Sequence, residues 1–232
     1  MQTIGIIGAM EEEVAALRQK GEQITAKTIG AMDFYLLTLA GKHLVVVQSG
    51  IGKVNAAICA QILIDHFGVD CVINVGVAGG LKTGLHIGDV VLSKTVQQWD
   101  VDVSALGDPA GTIPRMETSI FPADEALVTL ALEAGSILEG KQVMTGHVVS
   151  GDQFVASNEV KERLRTSFGG DCVEMEGAAI GHTCYINKVP FVVIRSISDS
   201  ADDAGSMSYE TFKSIAIENS MVLLEEMIRN LD

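Results

Sequence analysis

A chain of 232 residues, 47% hydrophobic and 20% charged, is long enough to bury a sizeable core within one domain spanning 1–232. Its 30 acidic against 16 basic residues leave a net charge of −14, a field that excludes nucleic acid and anionic membranes as natural partners. No apolar stretch reaches membrane-spanning length, the four cysteines form no CxxC pair, and the opening MQTIGIIGAMEEE lacks a basic n-region. Buried free thiols and a cytoplasmic location are expected.

Thr3–Ile7 reads as a strand, followed by the turn Gly8–Ala9–Met10 and a helix opening at Glu11. The stretch from Ile24 to Gln48 is β-rich, with turns at Gly30 and Gly41. A helix is predicted from Val54 to Phe67, apolar nearly all round and so expected to be buried. Strands Cys71–Asn74 and Asp89–Lys94 are separated by the glycine-rich GVAGGL. Asp124–Ala134 is helical, Gln142–Val149 a strand, Glu159–Phe168 a helix and Cys172–Glu174 a short strand. A helix Gly177–Ile186, a strand Phe191–Ile197 and a terminal helix Ser208–Asn230, capped by Ser208, complete the chain. β-branched runs alternating with helices, after an antiparallel patch, predict an α/β fold with a mixed central β-sheet flanked by helices. Asp100–Pro122 breaks the rhythm with three prolines, two glycines and little periodicity. A structureless run of that length inside a domain points to a functional or interfacial loop.

Familiar catalytic frames are missing. The five histidines show no HExxH or Cys/His metal spacing, so no metal is expected, and Ser49 and Ser150 lack a GxSxG frame. Gly50–Ile51–Gly52 half resembles a dinucleotide fingerprint, but Asn55 stands at its third glycine position, which leaves a tight strand-to-helix turn near a ligand. The acids are more informative. Glu11–Glu13 follow the first strand, Glu174 and Glu176 straddle the end of another, and Asp199 ends FVVIRSIS. Open α/β sheets bind ligands beyond strand C-termini. Acids gathered there suit glycosidic cleavage, which needs an acid at the leaving group, a base for water and negative charge near a cationic sugar. The spacing does not say which glycoside, nor does it choose between Glu174 and Glu176.

At these same residues the chain resembles a known family. IGIIGAMEEEV, SGIGKVNAA, VSGDQFV, VEMEGAAI and FVVIRSISD, in order and nearly end to end, are similar to the bacterial 5′-methylthioadenosine/S-adenosylhomocysteine nucleosidases. The resemblance implies a nucleoside phosphorylase-like fold, a metal- and cofactor-free homodimer, and adenine release from these nucleosides and 5′-deoxyadenosine, in methionine salvage and methyl-cycle recycling. It implies Glu13 as the base for water, Asp199 as the acid for adenine N7 with Ser198 beside it, and Glu176 as the partner of the ribose hydroxyls. It further implies Phe154 stacking on adenine, the Val155 backbone reading its edge, Met175 packing on the sugar, and Ala78 and Gly79 letting the chain pass close. Met10, Ile51 and Tyr209 would line the 5′-thioether pocket. Val103, Leu106 and Pro114 would reach the partner subunit's pocket. Val77 and Leu106 depart from the family, where some members have serine and phenylalanine.

Two rival readings stand against hydrolysis. A phosphorylase on the same fold would need cations around phosphate, whereas Glu11–Glu13 lie nearby and GVAGG is preceded by Asn74 instead of an arginine. A non-catalytic nucleoside binder would leave the desolvation of both Glu13 and Asp199 without a purpose.

Overall fold

Glycine turns cut the N-terminal region into strands, and apolar residues on both sides of those strands require a helical layer on each face. The computed structural model describes residues 3–201 and 205–231. It opens with β1 (Thr3–Gly8), a 3-10 turn (Glu11–Glu13) and α1 (Ala15–Lys20), followed by β2 (Glu22–Ile29), β3 (Met32–Leu39) and β4 (Lys42–Gln48). Next come α2 (Lys53–Phe67), β5 (Cys71–Gly80), β6 (Val90–Gln98), β7 (Ile120–Pro122), α3 (Glu125–Ala134) and β8 (Val143–Ser150). The chain ends with α4 (Asn158–Ser167), β9 (Cys172–Glu174), α5 (Gly177–Asn187), β10 (Phe191–Asp199) and α6 (Gly205–Asn230).

The sheet is mixed. β2, β3 and β4 form the antiparallel patch, and β1 runs parallel to β4 and β5. β10 pairs with both β5 and β6, while β6, β8, β9 and β5 are linked in turn, so these five strands close on themselves. Side chains alternate between two cores. In β4, Val45 and Val47 face the layer of α2 and α5, whereas Leu44 and Val46 face that of α1, α3 and α6. In β10, Phe191 and Val193 take the first side, Val192 and Ile194 the second. A sheet covered on both faces therefore reads as unbroken apolar runs. Among the described residues no helix is long and apolar enough to cross a membrane.

Four local expectations are corrected. GVAGGL does not separate strands: β5 continues through it to Gly80, its residues kept small by side chains that pass close by. α2 is not buried all round, because Val54 (69% exposed) and Ile58 (47%) face outwards while Ala56, Cys59, Ala60 and Leu63 are buried. The long loop has structure of its own, a 3-10 turn at Ser104–Leu106, and its last residues form β7 against β6. Ser208 lies inside α6, which begins at Gly205; the capping position falls outside the described residues.

Gly181 shows how tightly α5 sits. A Cβ there would lie 2.5 Å from Val96 Cγ2 and 2.8 Å from the Phe191 ring. Alanine in a helix is favoured over glycine by ~0.5–1 kcal/mol, but overpacking costs ~1–3 kcal/mol. Gly181→Ala is therefore expected to lower the melting temperature, and a thermal unfolding curve shifted upwards would show that the helix can move aside.

Candidate active site

A cavity of about 370 Å³ opens beside the C-terminal ends of β1, β4, β9 and β10 and along the last residues of β5. Four acids line it: Glu13, Glu174, Glu176 and Asp199. The rest of the wall is mostly apolar, from Met10, Ile51, Val77, Phe154, Met175 and Tyr209. Each acid is at least nine-tenths buried, so its neighbours decide its chemistry.

Glu13 closes the 3-10 turn after β1. Its Oε2 accepts the N–H groups of Ala9 (2.7 Å) and Met10 (2.9 Å), and its Oε1 accepts Val77 N–H at 3.3 Å. Burial nonetheless pushes its pKa above the usual carboxylate value, against the pull of Arg195 and those three bonds. A carboxylate whose proton affinity is raised in this way is a better proton acceptor than a free one. Gly76 makes room for it, since a Cβ there would come within 2.7 Å of Glu13 Oε1 and 3.0 Å of Arg195.

Glu174 and Glu176 are chemically distinct despite their spacing. Glu174 ends β9 with its lone pairs committed: Oε2 accepts the N–H groups of Glu176 (3.0 Å) and Gly177 (2.7 Å), and Ser150 Oγ donates to Oε1. Arg195 donates to Glu174 Oε2 through both Nε (3.2 Å) and Nη2 (2.5 Å), and Nη2 also reaches Asn74 Oδ1 at 2.6 Å. Glu176 has fewer partners. Its Oε1 accepts Gly52 N–H at 2.9 Å and its Oε2 lies 3.7 Å from Arg195. Burial, then repulsion from Glu174, push its pKa up to about 7.

Asp199 sits where the β10–β5 register slips. Ile197 pairs with Ala78 and Asp199 with Gly79, leaving Ser198 as the extra residue of a bulge, a device that re-aims side chains beside active sites. The Ser198 hydroxyl donates to Asp199 Oδ2 at 2.9 Å, and Ala201 N–H to Oδ1 at 2.7 Å. Ala201 adopts a φ of 51°, the left-handed region that L side chains rarely occupy, while making that bond. Phe154 is 46% exposed at the mouth and meets the Tyr209 ring edge-on at 5.5 Å.

The structure thus brings Met10, Glu13, Ile51, Ala78, Gly79, Phe154, Met175, Glu176, Ser198, Asp199 and Tyr209 into one cavity. Val155 lines a small adjoining recess with Gly79, Phe154, Met175 and Asp199. Val103, Leu106 and Pro114 do not line the cavity of their own chain, and Leu106 is 84% exposed. Arg195 was missed, although an arginine inside the apolar run FVVIRSIS was a visible signal. Asn74 does stand where an arginine was sought before GVAGG, but Arg195 reaches the same place from β10, where Glu174 and Asn74 occupy it. Among the described residues no group of three His, Cys, Asp or Glu side chains is placed to hold a metal ion.

Comparison with known proteins agrees over the whole chain. Residues 3–229 match the phosphorylase superfamily. A 5′-methylthioadenosine/S-adenosylhomocysteine nucleosidase of Psychromonas ingrahamii is 40% identical over 230 residues, covering 99% of each chain. The chain belongs to this nucleosidase family. The Neisseria meningitidis nucleosidase, solved in complex with methylthio-immucillin-A, superposes with a TM-score of 0.95 at 42% identity and full coverage of both chains. A futalosine hydrolase of Helicobacter pylori does so with a TM-score of 0.94 at 37% identity, covering 99% of this chain and 98% of that one.

In this nucleosidase-family site the two glutamates of VEMEG should respond oppositely to amide substitution. Glu176 holds its proton more tightly when folded than when unfolded, so its favourable contribution exists below about pH 4.5 and is lost as pH rises through about 7. Glu176→Gln should therefore melt several degrees above the parent at pH 8, a gain of ~1–3 kcal/mol that shrinks towards pH 5. Glu174→Gln strips the buried Arg195 of its counter-charge and should cost ~3–5 kcal/mol. Equal melting curves for the two variants at pH 8 would contradict this division.

Proposed function

We propose that the chain hydrolyses the N-glycosidic bond of 5′-methylthioadenosine and S-adenosylhomocysteine, and of 5′-deoxyadenosine, releasing adenine and the 5′-substituted ribose. The observation that carries this reading is one apolar cavity joining Glu13, Glu176 and Asp199, each held differently. Asp199, steadied by Ser198, gives its proton to adenine N7, and the C1′–N9 electron pair leaves with the base. Phe154 stacks on adenine through offset π-faces, and the Val155 backbone reads its edge where Ala78 and Gly79 let the chain pass close. Glu176 binds the ribose hydroxyls and, ionised, favours the cationic sugar over Met175. A water then attacks C1′ and yields its proton to Glu13, so one water is consumed for each adenine released. Met10, Ile51 and Tyr209 receive the 5′ substituent.

Water is favoured over phosphate because the acids repel an anion and the nearby guanidinium is already neutralised by Glu174. A pure binding protein gains nothing from desolvating three acids. Adenine release should therefore run equally fast with and without phosphate. Asp199→Asn should lose ~10²–10⁴-fold in rate, since an amide cannot deliver the proton. A strict phosphate requirement, or a loss below tenfold, would reject these assignments. Including futalosine among the substrates tested addresses the related Helicobacter pylori enzyme.

The same proposal makes the active form a cytoplasmic homodimer. Four free, buried cysteines support a reducing compartment. Val54 and Ile58 lie exposed on one side of α2, Ile51 in the turn before it, and Ile186 and Leu106 are exposed as well. Burying a Leu-sized side chain is worth ~1.5–3 kcal/mol, so several such contacts favour a two-fold interface. In that dimer Val103, Leu106 and Pro114 cap the partner's 5′ pocket. Mixing Glu13→Gln and Leu106→Asp chains should restore part of the activity, because one mixed site escapes both changes. Confirmed subunit exchange with no recovery, or a fully active monomer, would defeat the shared site.

A further inference from the structure

The turn Gly50–Ile51–Gly52 contributes more than Ile51. Gly52 adopts a φ of 97°, which L side chains avoid, and a Cβ there would lie 3.1 Å from Asp152 Oδ1. In this conformation its N–H reaches Glu176 Oε1 at 2.9 Å. The next residue begins a closed ring of polar contacts. Lys53 N–H donates to Asp152 Oδ1 at 2.8 Å, and Asp152 N–H donates to Asp100 Oδ2 at 2.9 Å. The Lys53 ammonium returns to Asp100 Oδ1 at 2.5 Å, with Gln98 Oε1 as a second acceptor at 3.0 Å. Asp100 follows β6, Asp152 follows β8 and Lys53 opens α2, so the ring ties three loops together. Asp100 and Lys53 are mostly shielded, with side chains 24% and 16% exposed. Neither lines the cavity.

We propose that Asp100, acting through Lys53 and Asp152, is a positioning residue that holds the Gly52 N–H on the Glu176 carboxylate and so fixes that carboxylate for the sugar. The proposal rests on the reading of Glu176 as the ribose-binding acid. Asp100 suits the role because each carboxylate oxygen accepts a different donor, one of them charged, and charge-assisted bonds are the stronger kind. An asparagine of the same shape can accept at only one of the two positions. The groups facing Glu176 are Glu174 from β9, Glu13 from the turn after β1, Arg195 from β10 and the Gly52 N–H. The first two disfavour its anion and the last two favour it. Loosening Gly52 therefore makes Glu176 harder to ionise, and activity that needs the anion shifts to higher pH.

The test is Asp100→Asn in the full-length protein, followed by two independent readouts. In the parent, the Gly52 amide resonance should titrate with a midpoint near 7, a response that Glu176→Gln abolishes. In Asp100→Asn this titration should fade and the Gly52 amide should exchange with solvent about tenfold faster or more. With methylthioadenosine, the acid limb of kcat/KM should move up by at least about half a pH unit, kcat/KM at pH 7 should fall at least about twofold, and the deficit should shrink as pH rises. If Asp100→Asn does not fold, Lys53→Met, which keeps the backbone N–H, should give the same directions more weakly. An unchanged Gly52 amide with an unmoved acid limb overturns the proposal, as does a uniform loss of rate at every pH. If the amide behaves as expected but the parent releases no adenine, the positioning stands and the nucleosidase reading falls.

Discussion

The Arg195 guanidinium is 1% exposed and lies among Glu13, Glu174 and Glu176, and much of the architecture answers to that placement. Burying an ion costs several kcal/mol after relaxation, and only close opposite charge with satisfied hydrogen bonds recovers it. Glu174 supplies two contacts and Asn74 a third, while Asn74 is itself anchored to Ile7 O. These groups belong to β9, β5, β1 and β10, so those four strands must be brought together for the charge to be tolerated. At Gly76, Glu13 and Arg195 both occupy the space a side chain would need.

Once that cation is in place, one cavity can hold acids of different character. Glu174 is saturated by two backbone N–H groups, a serine hydroxyl and the guanidinium, which makes it a structural counter-ion. Glu176, two residues later, is left with one backbone donor and a longer approach to the same guanidinium, and its pKa is pushed up to about 7. Glu13 is raised as well, chiefly by its own burial. Environment, more than residue type, separates the proposed roles, as in other sites where two carboxyls serve different steps.

What could be read from the sequence follows from the same physics. Acids just beyond parallel strands were legible because strand ends follow from local apolar runs. The core on both faces was legible because unbroken runs imply two covered faces. GVAGG was misread as a connection, since small residues in a strand look like a turn until the intruding side chains of Glu13, Arg195 and Asp199 are known. The exposed side of α2 was missed because an apolar helix reads as buried whether its cover is its own chain or another. Closure of β5, β10, β6, β8 and β9 rests on pairings such as Val72 with Phe191, far apart in the chain and without local signature. Glu174 and Glu176 could not be separated by spacing, because partners such as Ser150 and Gly52 come from other elements.

Exposure across the cavity is uneven in a way that bears on how the molecule would work. The acids are buried by their own chain, whereas Phe154 and Ile51 at the mouth are 46% and 55% exposed. Electrostatic interactions strengthen as water leaves, so a cover over the mouth acts on the acids without touching them. Ile51 directly precedes Gly52, whose N–H holds Glu176, and Phe154 follows Asp152 by two residues, whose carboxylate holds Lys53 N–H. The two exposed side chains are therefore attached to two of the three loops that the Asp100 ring ties together. A partner subunit seated on Ile51 would press on the turn that sets the sugar-facing carboxylate. In the proposed dimer, a contact on Ile51 would thus reach Glu176 through one short piece of backbone.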